Sequence, residues 1–316
     1  MFLHGGSALL FRSLVLACLV APAALAQSYE APRTRDGHPD LGGVWGATFI
    51  TPLERPEGVK ELVLKPEQTA KFVADFVAGV PVLIDPDFDV QAVRDIARVK
   101  GELRSSQIVT PADGHLPFTD KANKLVAHSF ELDETGFDNP EERPTFERCL
   151  AGMGQAPIRQ LPAMIPNLIV QTRDALAIAA EDVAGLRIVH LDGKGPPPES
   201  MRSFEGFSAG HWEGDTLVIE TTHSRADDPY RGLLGRPILV EPDSKVIERL
   251  TRVSSTELLY QFSVEDADLY ASPWMAEYVF TLRDTPLYEY ACHEGNRSMV
   301  SMLVAGRLGR QPKPKQ

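Results

Sequence analysis

The chain has 316 residues, of which 43% are hydrophobic and 24% charged, so it is long enough to bury one large core or two small ones. Its formal net charge of -12 at pH 7 argues against nucleic acid or an anionic membrane as a partner, because both are bound through a basic face. A globular enzyme, a small-molecule carrier and a structural protein all fit this composition.

Residues 1–26 have the layout of a secretory signal peptide. Arg12 precedes a mostly apolar run at residues 14–25, and small residues close that run. We therefore expect the mature chain to begin near Gln27 and to be periplasmic or secreted. The apolar run is too short to span a membrane. A second interpretation makes Cys18 a lipid-modified anchor.

The early part of the mature chain predicts a short strand and then a helical insertion at about residues 60–132. An arm rich in proline and glycine leads into the strand through Val44, Trp45 and Phe49. The helical period then recurs in three segments, at residues 65–79, 88–104 and 118–132. Thr119 is the candidate N-cap of the third segment.

From about residue 167 the hydrophobic period changes to two, which is typical of strands. Turn signals divide this part of the chain into nine runs: 167–173, 175–181, 186–192, 208–212, 216–222, 245–253, 257–266, 276–284 and 287–292. Strands that follow one another through turns predict an antiparallel meander. The expected fold is mainly β (α+β), a lipocalin-like barrel with a helical insertion, in a single domain over residues 27–316.

Two cysteines, Cys149 and Cys292, remain after the predicted signal. In an oxidising compartment an even pair indicates one disulfide, which would stabilise the fold by about 4 to 5 kcal/mol in the chain-entropy model. Two buried free thiols are the alternative. A bridge would join the middle of the chain to its last predicted strand.

Several motifs resemble those of a large group of secreted bacterial proteins of unassigned activity. They are "HPDLGGVW" (38–45), "ERCLAGMGQAPIR" (147–159), "VHLDG" (189–193), "SAGHWEGDTLVIETT" (208–222), "VIERLTR" (246–252), "YQFSVED" (260–266) and "YEYACHEGN" (288–296). The resemblance covers most of the mature chain. At two positions, His211 and His223, this chain departs from the pattern and places imidazoles near one hairpin.

Gly43-Val44-Trp45 is also similar to the Gly-x-Trp opening strand of lipocalins and related barrels. This second resemblance implies a cup for a small, largely apolar molecule. It also implies an arginine late in the chain that packs on the tryptophan, for which Arg307 and Arg310 are the candidates.

The sequence contains no nucleophile elbow, phosphate loop, zinc-protease motif or dinucleotide-binding motif. Hydride transfer, phosphoryl transfer and triad hydrolysis therefore lose support. Four histidines, His190, His211, His223 and His293, lack the spacing of metal ligands. Neither a metal nor another cofactor is predicted.

What remains is acid and base chemistry by side chains on separate strands, which a barrel can bring within about 5 to 8 Å of one another. Glu220 is the predicted base and His293 the predicted acid, with His211 and His223 orienting them. The predicted ligand-binding residues are Trp212, Thr222, Glu248, Tyr260 and Asn296. Alternatively, Glu220 and Thr222 face water on the outer wall, and the others are surface or packing residues.

The predicted function is that of an exported enzyme without a cofactor, of the lyase or isomerase type. It would act on a small apolar or aromatic molecule in the barrel cavity. A carrier that binds such a ligand without catalysis is the first alternative. A structural protein whose barrel is solid is the second.

Overall fold

The computed structural model describes residues 1, 29–79, 95–159, 165–183, 185–225, 230–231 and 237–309. Residues Ala31–Gln316 form one unit, and residues Met1–Glu30 belong to another. The predicted signal from residue 2 onward, the first part of the predicted helix (88–94) and Arg310 lie outside the described residues.

The described residues contain fourteen strands. In chain order they are β1 (Gly43–Gly46), β2 (Arg98–Val99), β3 (Glu102–Leu103), β4 (Ile108–Thr110), β5 (Asn167–Gln171), β6 (Ala175–Ala180), β7 (Leu186–His190), β8 (Phe207–Glu213), β9 (Thr216–Thr222), β10 (Tyr230–Arg231), β11 (Ile238–Leu239), β12 (Lys245–Arg252), β13 (Glu257–Glu265) and β14 (Met275–Arg283).

Nine of these strands close into a barrel, as predicted. Their order around the ring is β1, β5, β6, β7, β8, β9, β12, β13 and β14, and β14 pairs back with β1. All neighbouring pairs in the ring are antiparallel except β7 and β8, where Val189 pairs with Ser208 in parallel. The barrel is therefore mixed, because the long connection after β7 returns the chain in the same direction.

Eight of the nine predicted strand runs are strands, and the run at 287–292 is not. Residues 286–291 have no regular structure, and a turn follows them. The ring explains the difference, because β14 pairs with β13 on one edge and with β1 and β4 on the other, so both edges already carry neighbouring strands. The backbone N–H of Tyr288 donates instead to the carboxylate of Glu181, at 2.8 Å.

Three α-helices are described: α1 (Thr69–Gly79), α2 (Asp120–Thr135) and α3 (Ser298–Gly309). The first two confirm the predicted helices at 65–79 and 118–132. Thr119 caps α2, since its hydroxyl accepts from the backbone N–H of Ala122. The third helix follows the last predicted strand run, in a part of the chain where no helix was predicted.

The middle helix of the predicted insertion is wrong over residues 95–104. There β2 and β3 form a hairpin, with Arg98 opposite Leu103. Lys100 and Gly101 both have positive φ, 52° and 82°, which is the backbone geometry of a tight two-residue hairpin turn. Turn chemistry thus overrides the helical period of this segment.

Arg307 does not pack on Trp45, contrary to the lipocalin resemblance. Its side chain donates to the backbone oxygens of Phe137 and Asp138. The guanidinium carbon of Arg252, on β12, lies 5.5 Å from the centroid of the Trp45 ring instead. The indole of Trp45 is fully buried and donates to the Leu41 carbonyl at 2.8 Å.

Candidate functional site

Large side chains fill the barrel interior where β12, β13 and β14 run side by side. Tyr260 lies opposite Tyr278 in the sheet, and their ring centroids are 5.1 Å apart. Phe280 and Phe262 pack on the same pair of rings. All four side chains are buried, so this level of the barrel is a packed core.

A charged network crosses the interior between strands that are not neighbours. Both terminal nitrogens of Arg187, on β7, bind the carboxylate of Glu248, on β12, one of them at 2.9 Å. The hydroxyl of Tyr260 donates to the same carboxylate at 2.6 Å. Glu248 is 0% exposed and Arg187 is 2% exposed. Fork-to-fork pairing of this kind is how a protein holds both charges out of water.

The environment fixes the protonation of this network. Burial, and then the negative charge of Glu248, raise the pKa of Tyr260 well above its usual value. Burial by itself lowers the pKa of Arg187, but the charge and hydrogen bonds of Glu248, with smaller contributions from Tyr260 and Glu205, together outweigh it, and the pKa of the guanidinium is raised. The tyrosine is therefore neutral and the arginine charged at neutral pH.

The segment at residues 151–158 adds to this interior. The backbone N–H of Ile158 donates to the hydroxyl of Tyr260 at 2.8 Å, and the Ile158 carbonyl accepts from Tyr278 at 3.0 Å. Further back, the backbone N–H of Met153 donates to the buried carboxylate of Asp182. Burial raises the pKa of Asp182. Glu248 and Tyr260, both predicted to bind a ligand, thus meet inside the barrel in an enclosed network where their polar groups are bonded to protein.

Glu220 lies on the outer face of β9, with its side chain 48% exposed and 3.9 Å from Lys245. Its neighbours Ile219 and Thr221 point inward and are buried. The prediction that Glu220 and His293 face a common cavity inside the barrel is therefore wrong. The alternative, that Glu220 faces water on the outer wall, is correct.

His211 and Trp212 lie at the end of β8 on opposite faces: Trp212 pairs with inward-facing Leu217 and packs against the core, whereas His211 points outward. The imidazole of His211 is exposed, with Nε2 3.3 Å from a Glu213 oxygen. The indole of Trp212 stacks on the ring of His38, with centroids 4.8 Å apart. Neither residue contacts Glu220 through a side-chain interaction in the described structure.

Thr222 and His223 contact each other where β9 ends. The Thr222 hydroxyl lies 2.8 Å from Nδ1 of His223, which is buried and has a φ of +60°. Nε2 of His223 lies 3.3 Å from a carboxylate oxygen of Glu199, outside hydrogen-bond alignment. His190 stacks on Phe207 nearby, with centroids 5.1 Å apart. By strand alternation Thr222 faces outward like Glu220, so it does not line the barrel interior.

The predicted disulfide between Cys149 and Cys292 is confirmed, with 5.8 Å between the two Cα atoms. Cys292 lies in a turn rather than in a strand. The side-chain amide of Asn296 donates to the Cys292 carbonyl at 2.9 Å and to Sγ of Cys149 at 3.4 Å. The bridge therefore brings Asn296 and His293 beside residues near position 149.

A surface pocket of about 280 Å³ lies at this disulfide, and we call it the disulfide pocket. Its lining residues come from two stretches of chain, Pro140, Glu147, Arg148, Cys149 and Leu150 on one side and His293, Asn296 and Met299 on the other. None of them belongs to a barrel strand. The pocket joins apolar surface to a guanidinium, an imidazole and an amide.

Of the predicted site residues, the disulfide pocket contains His293, Asn296 and Cys149. Sequence reasoning missed Arg148, although it is adjacent to a cysteine expected to form the bridge. It also missed Arg187. The strand pattern could have revealed this residue, because Arg187 lies on the same face of β7 as the buried Val189.

Within the described residues, no three His, Cys, Asp or Glu side chains are grouped closely enough to hold a metal ion. No helix in the described part of the chain is long and apolar enough to cross a membrane. Fold and pocket together define a disulfide-linked β-barrel protein with a pocket of mixed apolar and polar lining beside the bridge. In comparisons with known proteins, no protein-family model, no curated protein and no solved structure matches the chain.

Proposed function

We propose that this protein binds a small apolar or aromatic molecule, and that it does so in the disulfide pocket rather than inside the barrel. The observation that carries the proposal is the pocket itself, about 280 Å³ in volume and lined by both apolar and polar side chains. Ligand sites combine an apolar wall with a few polar groups that orient the ligand. The part of the barrel interior that holds the packed aromatic rings and the buried ion pair is filled by protein side chains, so its role is structural.

The disulfide supports this location because it joins the two walls of the pocket covalently. The cysteines are 143 residues apart in sequence, so without the bridge the walls would be held together only by weaker contacts. A site that is held in its binding geometry before the ligand arrives loses less entropy on binding. Leu150 and Met299 supply apolar surface, while His293 and Arg148 supply polar groups.

The test uses one bulky substitution at two exposed positions. Leu150→Trp places an indole in the pocket, and Leu186→Trp places one on the outer face of β7; the wild-type leucines are 39% and 60% exposed. Native mass spectrometry of the purified protein, followed by thermal shifts with small aromatic and aliphatic compounds, identifies ligands. We expect binding to be lost in Leu150→Trp and kept in Leu186→Trp. Equal binding by both variants would place the ligand elsewhere.

We also propose that the protein is exported. The predicted signal at residues 1–26 and the formation of a disulfide support this location, since disulfides persist in oxidising compartments. Intact-mass measurement of protein from the periplasm or culture medium should give a chain that begins near Gln27. A full-length chain recovered from the cytoplasm would contradict export.

Catalysis without a cofactor is the second candidate function, and it rests on His293. This imidazole lines the disulfide pocket and could exchange a proton with a bound ligand in an elimination, isomerisation or hydration. Glu220 does not line the pocket, so the acid and base pair predicted from the sequence is not supported. The test is turnover of a bound compound in wild type and in His293→Gln. Unchanged turnover in the variant would exclude this role for His293.

A further inference from the structure

Arg148 is a cation in the disulfide pocket whose charge no described carboxylate neutralises. Its Nη1 atom is buried and has no hydrogen-bond partner, and its side chain makes no ion pair among the described residues. An N–H group that loses water without gaining an acceptor is held at a cost in free energy. A ligand that carries negative charge would offset that cost.

Three of the four buried arginines among the described residues have a carboxylate partner, and the fourth, Arg55, donates to the backbone oxygens of Lys60 and Ala112. Arg187 binds Glu248, Arg104 binds Glu277, and Arg143 binds Glu147. The last pair matters for the pocket, because Glu147 also lines it. Both oxygens of Glu147 accept from Arg143, at 2.8 and 3.0 Å, so that negative charge is already paired.

The amide of Asn296 is also committed to the protein. Its Nδ2 donates to the Cys292 carbonyl, and its Oδ1 accepts from the backbone N–H of Ser298 at 2.9 Å. These bonds fix the amide as part of the pocket wall. The unpaired charge that remains in the pocket is therefore the positive charge of Arg148.

We propose that the ligand of the disulfide pocket is a small monocarboxylate, whose carboxylate pairs with Arg148 and whose apolar body contacts Leu150 and Met299. This inference rests on the proposed function and names the chemical class of its ligand. Arginine and carboxylate form charge-assisted hydrogen bonds, which are about twice as strong as neutral ones and are often bidentate. A pocket of about 280 Å³ suits a body no larger than one aromatic ring or a short branched chain.

The experiment compares benzoate with benzamide, which has nearly the same shape and no charge. Titration calorimetry with the full mature protein should give a dissociation constant on the order of 1 mM or below for benzoate. Binding of benzamide should be at least about tenfold weaker. Arg148→Gln should weaken benzoate to the level of benzamide and leave benzamide unchanged. The control is Arg173→Gln, which removes the same charge from an exposed arginine outside the pocket.

The outcomes separate the inference from the proposed function. If benzoate and benzamide bind equally well and Leu150→Trp abolishes both, the pocket binds ligands but the role of Arg148 is wrong. If Arg173→Gln weakens benzoate as much as Arg148→Gln does, the effect comes from overall charge, and the inference is also wrong. If neither compound binds while another neutral compound does, the ligand class is wrong. If no small molecule binds at the pocket, the proposed function fails as well.

Discussion

Removal of the Glu248 carboxylate is the strongest single perturbation that the barrel interior offers. Glu248→Ala leaves the Arg187 guanidinium, which is 2% exposed, without its counter-ion, and the Tyr260 hydroxyl without its acceptor. Breaking a buried ion pair from one side costs about 3 to 5 kcal/mol. Since domains are stable by about 5 to 15 kcal/mol, the variant should lose a large share of its stability. The melting temperature should fall by on the order of 10 °C.

Urea unfolding followed by tryptophan fluorescence and circular dichroism measures this loss. Arg187→Met combined with Glu248→Met replaces both charges by apolar groups, and it should recover most of the stability lost in Glu248→Ala. Glu265→Ala is the control, because it breaks the exposed pair with Lys245 and should cost less than about 1 kcal/mol. If Glu248→Ala costs no more than this control, or if the double variant is the least stable of all, the account of the interior is refuted.

Three further perturbations address other parts of the fold. Burial raises the folded-state pKa of Asp182 above 3.8, so this carboxyl stabilises the fold most at low pH and its contribution is lost as the pH rises through that folded-state value. Unfolding of Asp182→Asn across a pH series should shift in favour of the variant as the pH rises; a constant difference from wild type would contradict the burial of a charged carboxylate. Replacement of Cys149 and Cys292 by serine removes the link between two positions 143 residues apart and should lower the free energy of unfolding by about 5 kcal/mol, as measured in urea. Wild-type stability in this variant would mean that the bridge contributes nothing. Gly101→Ala places a side chain at φ +82° with no neighbour within 4 Å, so backbone strain alone should lower the free energy of unfolding by about 1 kcal/mol. The control, Gly79→Ala, also has open space but no positive φ, so it should not destabilise the protein. Equal unfolding free energies for the two variants would argue against the β2–β3 turn.

The strands of the barrel were predictable because their signal is local. Alternation of apolar residues in β9 and β12 is present in the sequence whatever the rest of the chain does, and both strands form where expected. The run at 287–292 has a similar composition but forms no strand. Its outcome depends on whether a strand edge is available, and both edges of β14 already carry neighbouring strands.

The orientation of β9 was not predictable, because both of its faces carry apolar residues. Val218 on the outer face is nearly as buried as Leu217 on the inner face. Pairing of Ile219 with Glu248 decides which face is inside, and it leaves Glu220 in water. Alternation tells which residues share a face, and only the neighbouring strands tell where that face points.

The disulfide pocket, too, was predictable from the sequence only in part. Counting cysteines predicted the bridge between Cys149 and Cys292, and so placed His293 close to it. The sequence did not reveal that Arg148 lacks a partner, because the nearest carboxylate along the chain, Glu147, is taken by Arg143. Pairing of charges is a property of distances in space.

The sequence by itself determined the class of fold, the extent of most strands, two of the three described α-helices and the disulfide, since each depends on residues close together in the chain or on a count of cysteines. Tertiary structure decided what fills the barrel, which titratable groups meet and where a pocket remains. The physical reason is that burial and ion pairing depend on contacts between residues far apart in the chain. Arg187 and Glu248 are 61 positions apart, yet the guanidinium of one binds the carboxylate of the other in the core.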